Sequence, residues 1–368
     1  MMRFGVDNKI LYNHRTINSK IFKLSFKYFS SIKRGESKWP QNWEVQSVWA
    51  QNLVNNEVLT KFKEILESLS NKRWTINPKF GVNKDLAFEN AKAGKTQMVL
   101  GHSTYWNGVR PASSFFASIP FGMSQSEFLS WVTFGGGRAY WDALYEPLGL
   151  VPLFAGDTGM QMGGWFPKRI NSIEDFNGMR MRIEGIGGPI LEKFGAKLVN
   201  APASKLLSLL ESGELDGCEF ATPVMDEAAG LHKCKKKLYF HYPGWHQPSA
   251  VFEYLISKDL YLSLSEEQVA MLNSATLHSG LLFTLHLQAE NELVLEKMMK
   301  SGVEIHKFPD EMLLKLKETA KGVIENTMKE DKFSYEVYQS YMKYLERMAL
   351  WGPMSGSAIW KWRSNKLK

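Results

Sequence analysis

An arginine and a glutamate of this sequence stand near the ends of two strand-like runs, and together they could hold an organic anion. Arg182 belongs to MRMRI at 179–183. Its guanidinium offers a planar fork that matches a carboxylate with two parallel bonds and does not deprotonate. Glu219 falls in DGCEFA at 216–221, between Cys218 and Phe220. An unpaired carboxylate is costly in such apolar company, so it wants a cation or a donor. Each has a plainer reading, a solvated arginine or glutamate on an edge strand, and type and position alone leave both open. A further group, His102, Tyr105, Trp106 and Asn107, follows the apolar run QMVL at 97–100.

Other motifs carry less. Gly185-Ile186-Gly187-Gly188-Pro189 has Ile190 where a dinucleotide loop needs its third glycine. Pro189 is better explained by its preset φ at a helix start. FGGGRAYW at 134–141 lacks the lysine of a phosphate loop and reads as a loop or a close helix contact. His241 and His246 raise zinc, but no third His or Cys stands at ligand spacing. No Gly-x-Ser-x-Gly elbow or HExxH is present, so nothing requires catalysis. Cys218 and Cys234 form no metal-binding spacing and read as ordinary thiols, a disulfide staying open in an oxidising compartment.

The elements that must position these residues come in two units. Residues 43–49 (WEVQSVW) alternate as a strand does, and 53–70 then place Phe62, Ile65, Leu66 and Leu69 on one helical face. Trp74, Ile76 and Phe80 mark a second strand, 84–93 a shorter helix that Gly94 stops, and 97–100 a third strand. The same order recurs as strand 179–183, helix 188–194, strand 196–200, helix 203–211, Gly213 as stop and strand 216–221. Ligands of open α/β sheets bind beyond the carboxyl ends of strands, where Arg182, Glu219 and the 102–107 group lie. Ser265 and Gln268 are spaced as a capping box for a helix reaching about Lys300, and a second helical stretch covers 310–349.

Length and charge set the frame. A chain of 368 residues exceeds what one core usually organises, so two α/β lobes are expected. Lobe I covers 39–150 and returns at about 249–300, lobe II covers 151–248, and helices fill 301–368. The formal charge of +7 is local: residues 1–38 hold nine Lys/Arg against two Asp/Glu, and 39–368 hold 36 of each. The body is therefore neutral, which argues against nucleic acid. The basic segment 1–38 resembles a targeting segment or marks a mis-assigned start, but Lys23 and Lys27 interrupt its apolar stretch, Ile21 to Ile32. No stretch approaches the ~20 apolar residues of a membrane span.

Gly178-Met179-Arg180-Met181-Arg182 resembles the short strand, ending in Arg after a glycine, that marks the solute-binding proteins of tripartite (TRAP-type) secondary transporters. Thr158-Gly159-Met160-Gln161-Met162-Gly163-Gly164-Trp165 and Tyr242-Pro243-Gly244-Trp245-His246 look like the α-keto-acid-binding branch of that family, and Tyr105-Trp106 and Phe115 to Met123 fit it. The resemblance covers about 39–352. It implies an α/β, two-lobed periplasmic binding protein fold with the ligand in the interlobe cleft and long C-terminal helices. It further implies a periplasmic protein that binds a small organic acid anion, a 2-oxo or 2-hydroxy acid, and delivers it to the TRAP membrane subunits.

Carried over residue by residue, the resemblance makes Arg182 the carboxylate clamp. A sodium or calcium ion would be held by the side chains of Gln161 and Glu219 and the main-chain oxygen of Phe220, an all-oxygen set suited to a hard cation. Tyr105 and Trp106 would close the pocket from the first lobe, with Gln247 beside it. Phe220 stands where tryptophan is common in the family, and Gln247 where glutamate often stands. Relatives dimerise through C-terminal helices, which implies a homodimer. The stripe Phe333, Val337, Ser340, Tyr341 and Tyr344 would serve that dimer or pack on its own chain. Two rival readings are a metal-assisted lyase or hydrolase acting on a 2-oxo acid, and a cytoplasmic ligand sensor.

Overall fold

Two β-sheets organise the chain in the computed structural model, which describes residues 38–106 and 108–365. Apart from Lys38, the basic segment lies outside the described residues, as does Asn107. In the first sheet β1 (Gln41–Ser47), β2 (Trp74–Lys79) and β3 (Met98–Gly101) run parallel, linked by helices Glu57–Leu69 and Lys84–Lys92. This is the expected β-α-β-α-β unit. The first helix turns Val58, Leu59, Phe62 and Leu66 inward, while Leu69 in its last turn is 48% exposed. Periodicity marks a face but not where its cover ends.

Two further strands complete that sheet: β4 (Leu150–Asp157) and β10 (Val251–Ser257), in the order β2-β1-β3-β10-β4 with β10 antiparallel to both neighbours. Both are buried on either face, so they lack the alternation that announces a strand, and the buried Glu253 interrupts the apolar run of β10. The first sheet therefore extends through Asp157, past the changeover expected at 150/151.

The second sheet holds β5 (Gly164–Phe166), β6 (Arg180–Arg182), β7 (Lys197–Leu198), β8 (Gly217–Cys218), β9 (Tyr239–Tyr242) and β11 (Glu304–Lys307). Its order is β11-β9-β5-β8-β6-β7, with β6 parallel to both β7 and β8. The expected strands 179–183, 196–200 and 216–221 are shortened to two or three paired residues each. The expected helices appear as Gly187–Glu192 and as a 3-10 turn, Ala203–Lys205, leading into Leu206–Ser212.

Two irregular segments, 158–163 and 243–250, cross between the sheets and bond to one another. Thr158 N donates to Ala250 O at 3.0 Å, Gln161 N to Pro248 O at 3.1 Å, and Gly244 N to Gln161 O at 3.0 Å. A third link is the helix Glu266–Lys300, opened by the expected capping box of Ser265 and Gln268. Its Leu272, Phe283 and Leu287 enter the core of the first lobe, and Val294 and Met298 that of the second. Gly280 lets this helix lie directly on β4, since a Cβ there would come within 2.7 Å of Gly156 N.

The helical stretch after 310 is two helices, Asp310–Lys329 and Lys332–Trp351, because Asp331 caps the second by accepting from Ser334 N at 2.9 Å. The stripe on Lys332–Trp351 serves its own chain. Tyr341 OH accepts from Met123 N at 2.7 Å, Trp131 Nε1 donates to Ser340 Oγ at 3.3 Å, and Val337 is fully buried. What stays exposed is the chain end: Leu350, Trp351, Met354, Ile359, Trp360 and Trp362. Gly137 opens the helix Gly137–Tyr145 at a close contact, where a Cβ would meet the Trp131 ring at 2.6 Å.

Candidate functional site

Between the lobes lies a cleft of about 560 Å³. Trp49, His102 and Tyr105 line it from the first lobe, Arg182, Glu184 and Phe220 from the second, and Gln161 and Gln247 from the crossing segments. Of the expected site residues, the fold thus brings Tyr105, Gln161, Arg182, Phe220 and Gln247 to one cavity.

Arg182 closes β6 and is 5% exposed. Because β6 and β8 are parallel and adjacent, Arg182 pairs in register with Cys218 and sits beside Glu219. Its Nη1 donates to the main-chain oxygen of Glu219 at 3.0 Å and to Glu219 Oε1 at 2.9 Å. Nη2 donates to Glu184 Oε1, and Nε faces Ala201 O at 3.4 Å. Burial works to lower the Arg182 pKa, but the carboxylates of Glu219 and Glu184 more than offset it, so the side chain stays cationic.

Glu219 is 1% exposed and lies behind the cleft wall. Glu184 N donates to its Oε1 at 2.7 Å, and His246 Nε2 stands 2.9 Å from its Oε2. Burial pushes this carboxyl up, yet the neighbouring His246 and Arg182 together with the Glu184 N–H hold it below the usual range, so it is ionised. An ionised Oε2 accepts, which places a proton on His246 Nε2. The plain reading of both residues, solvent-facing side chains on an edge strand, does not hold.

Gln161 bears on a cation. Its Nε2 donates to Thr158 Oγ1 at 3.0 Å, while its Oε1 is buried with no hydrogen-bond partner. A buried carbonyl oxygen without a donor costs about 1–3 kcal/mol. A hard cation or a ligand hydroxyl would supply the missing partner. Glu219 Oε2 has one protein donor and keeps a lone pair for the same purpose. The oxygen donor set fits sodium or calcium.

On the opposite wall, burial and the Glu184 carboxylate push the Tyr105 phenol well up, so it remains an O–H donor. Burial lowers His102 to about 4 and keeps its imidazole neutral.

Trp106 is a correction. Its side chain leaves the cleft for the core, stacks on Phe88 with ring centroids 5.3 Å apart, and donates from Nε1 to Glu253 Oε1 at 2.7 Å. An indole N–H that is buried must find an acceptor, and this one lies 147 residues away in sequence. Trp49 takes the aromatic place beside Tyr105, their rings 6.4 Å apart. Trp49, Glu184 and the pairing of His246 with Glu219 went unnoticed in the sequence. Only His246 had a signal, as half of a histidine pair. The other half is elsewhere: His241 Nε2 accepts from Ile170 N at 3.1 Å. Among the described residues no group of three or more His, Cys, Asp or Glu is placed to hold a metal. Cys218 and Cys234 are both free thiols.

A two-lobed α/β chain whose buried arginine and orphaned amide oxygen meet in the interlobe cleft is built as a solute receptor. The comparisons agree. The family model for bacterial extracellular solute-binding proteins, family 7, matches residues 45–331, and the chain belongs to that family. A monocarboxylate 2-oxoacid-binding periplasmic protein of Nostoc is 26% identical over 316 residues, 84% of this chain and 85% of its own length. A TRAP periplasmic solute-binding protein from Colwellia psychrerythraea, solved with calcium and pyruvate, is 28% identical with a TM-score of 0.82. It covers 87% of this chain and 99% of its own. One from Pseudoalteromonas atlantica, solved with sodium and pyruvate, is also 28% identical, with a TM-score of 0.80 and coverage of 87% and 98%. The family works outside the cytoplasm, and among the described residues no helix is long and apolar enough to cross a membrane.

Proposed function

We propose that this chain is the extracytoplasmic receptor of a TRAP-type transporter, clamping a 2-oxo or 2-hydroxy acid in its cleft and handing it unchanged to the membrane subunits. The supporting observation is that Arg182, paired with the buried Glu219, lines the same cleft as Gln161, whose Oε1 has no partner. A permanent cation and an unpartnered carbonyl oxygen in one cleft suit the carboxylate and the cation-bridged α-oxygen of such an acid. Arg182 binds the carboxylate. Gln161, Glu219 and the Phe220 carbonyl hold sodium or calcium, which offsets the ligand charge and joins its oxygens to the protein. Tyr105 and Gln247 complete the wall.

The lobes, taken as the two sheets with their helices, close on the ligand around the crossing segments 158–163 and 243–250. Glu219, already committed to Arg182 and His246, is unsuited to act as a general base, which favours binding without turnover over a metal-assisted lyase.

Cation and acid bound to one site stabilise one another reciprocally. Pyruvate is therefore expected to raise the melting temperature in calcium or sodium, and to do so much less after chelation and replacement of sodium by a large organic cation. Glu219→Gln should mimic removal of the cation. Differential scanning fluorimetry over a panel of 2-oxo and 2-hydroxy acids reads this directly, and chromatography of the recovered acid shows whether it is unaltered. Equal shifts with and without the cation would remove the bridged site.

The homodimer implied by the family resemblance belongs to the exposed apolar end, Leu350 to Trp362, and not to the stripe around Tyr341. Sedimentation at micromolar concentration should show a dimer that truncation after Trp351 converts to a folded monomer. A full-length monomer would sink this assembly and leave the cleft untouched.

A further inference from the structure

We propose that Glu184 is a built-in competitor for the ligand carboxylate, holding the arm of Arg182 that Glu219 leaves free until an anion displaces it. The inference rests on Arg182 being the clamp. A guanidinium has five N–H groups. In Arg182 two on Nη1 are given to Glu219, Nε faces Ala201 O, and one on Nη2 is given to Glu184. One N–H remains where a bidentate carboxylate needs two. One of the present partners has to leave.

Exposure decides which. The side chain of Glu219 is 1% exposed and that of Glu184 42%. Glu184 alone can turn its carboxylate into water without a large desolvation change. Its main chain need not follow, since Glu184 N stays on Glu219 Oε1. The next residue, Gly185, has a left-handed φ of +64° and leaves room for the Gln247 amide, whose Nε2 would lie 3.2 Å from any Cβ there. The Gln247 amide thus lies against the residue that follows Glu184.

Charge points the same way. Arg182, Glu184 and Glu219 sum to one net negative charge, so a bare anion meets a closed and repelling site. An acid that brings a cation and competes for the fork is admitted, while weak monoanions are not. If the internal pair is formed about nine-tenths of the time, the apparent affinity is about tenfold weaker than the intrinsic one.

Calorimetry tests this with wild type, Glu184→Gln and Glu184→Ala, using pyruvate and a panel of 2-oxo and 2-hydroxy acids at fixed calcium or sodium. The expected result is roughly three- to tenfold tighter binding in both variants, and binding of acetate that wild type refuses. Glu184→Asp, charged but one methylene short, should show part of the gain and serves if the other two fold poorly. Unchanged affinity overturns the competitor role and leaves the proposed function standing. Weaker binding with a lost calcium response makes Glu184 a cation ligand and also overturns it. Absence of binding in all four proteins overturns both.

Discussion

Arg182→Ala is expected to bind its acid some thirty- to several-thousandfold more weakly than wild type, the equivalent of about 2–5 kcal/mol for removing one partner of a buried charged hydrogen bond. Two losses combine. The ligand carboxylate loses its fork, and Glu219 loses the guanidinium on Oε1, keeping the Glu184 N–H and His246. A lysine cannot reproduce the fork, so Arg182→Lys should recover little. Isothermal titration in saturating calcium or sodium measures the effect, with circular dichroism to confirm that each variant is folded. Binding within twofold of wild type would place the carboxylate elsewhere.

The largest effect on stability is expected away from the cleft, at Glu253. This fully buried carboxylate receives Trp106 Nε1 at 2.7 Å, Trp141 Nε1 at 2.9 Å and the Tyr145 hydroxyl. Glu253→Ala strands three buried donors at about 1–3 kcal/mol each, so a loss of at least about 3 kcal/mol is expected in urea unfolding. The loss should depend on pH. Burial raises Glu253 from 4.5 to about 7, although its three hydrogen bonds pull the other way. A carboxyl whose folded pKa lies above its unfolded value holds its proton longer in the folded state. Its contribution is therefore full below about pH 4.5 and declines as pH rises through 7. The gap between wild type and Glu253→Ala should narrow over that interval. Asp157 and Asp226, also raised by burial, are present in both proteins and drop out of the difference. A gap that is small at every pH, or that widens toward pH 7, would contradict this account.

What could be read in the sequence follows from how local each signal was. The first β-α-β-α-β unit alternates and caps within short windows, and its elements stand within two residues of their expected ends except the first helix, which starts at Glu57 after a 3-10 turn, Val54–Asn56. Arg182 and Glu219 were legible because parallel strands put their carboxyl ends together. β4 and β10 were not, since burial on both faces erases alternation. Trp106 misled for a related reason. Adjacent residues can face opposite ways, and its partner Glu253 belongs to one of the strands that periodicity could not find. The tie of His246 to Glu219 and the contact of Glu184 with Arg182 depend on side-chain orientation in the folded chain, which spacing does not encode.

The crossing segments have a mechanical consequence. Bonded from Thr158–Ala250 to Gln161–Gly244, and pinned at one end where Asp157 Oδ1 accepts from Gly159 N at 2.5 Å, they form a ribbon and not two separate threads. Threads would let the lobes twist and slide independently. With the helix Glu266–Lys300 as a third link, the lobes are joined at three places and not by two independent threads. Gln161, with its waiting oxygen, is part of that ribbon. On the proposed function, a ligand held at Gln161 would pull on the joint between the lobes itself, so that a docking partner outside the cleft would read a full or empty receptor from the lobe positions, as a latch reports whether it is shut.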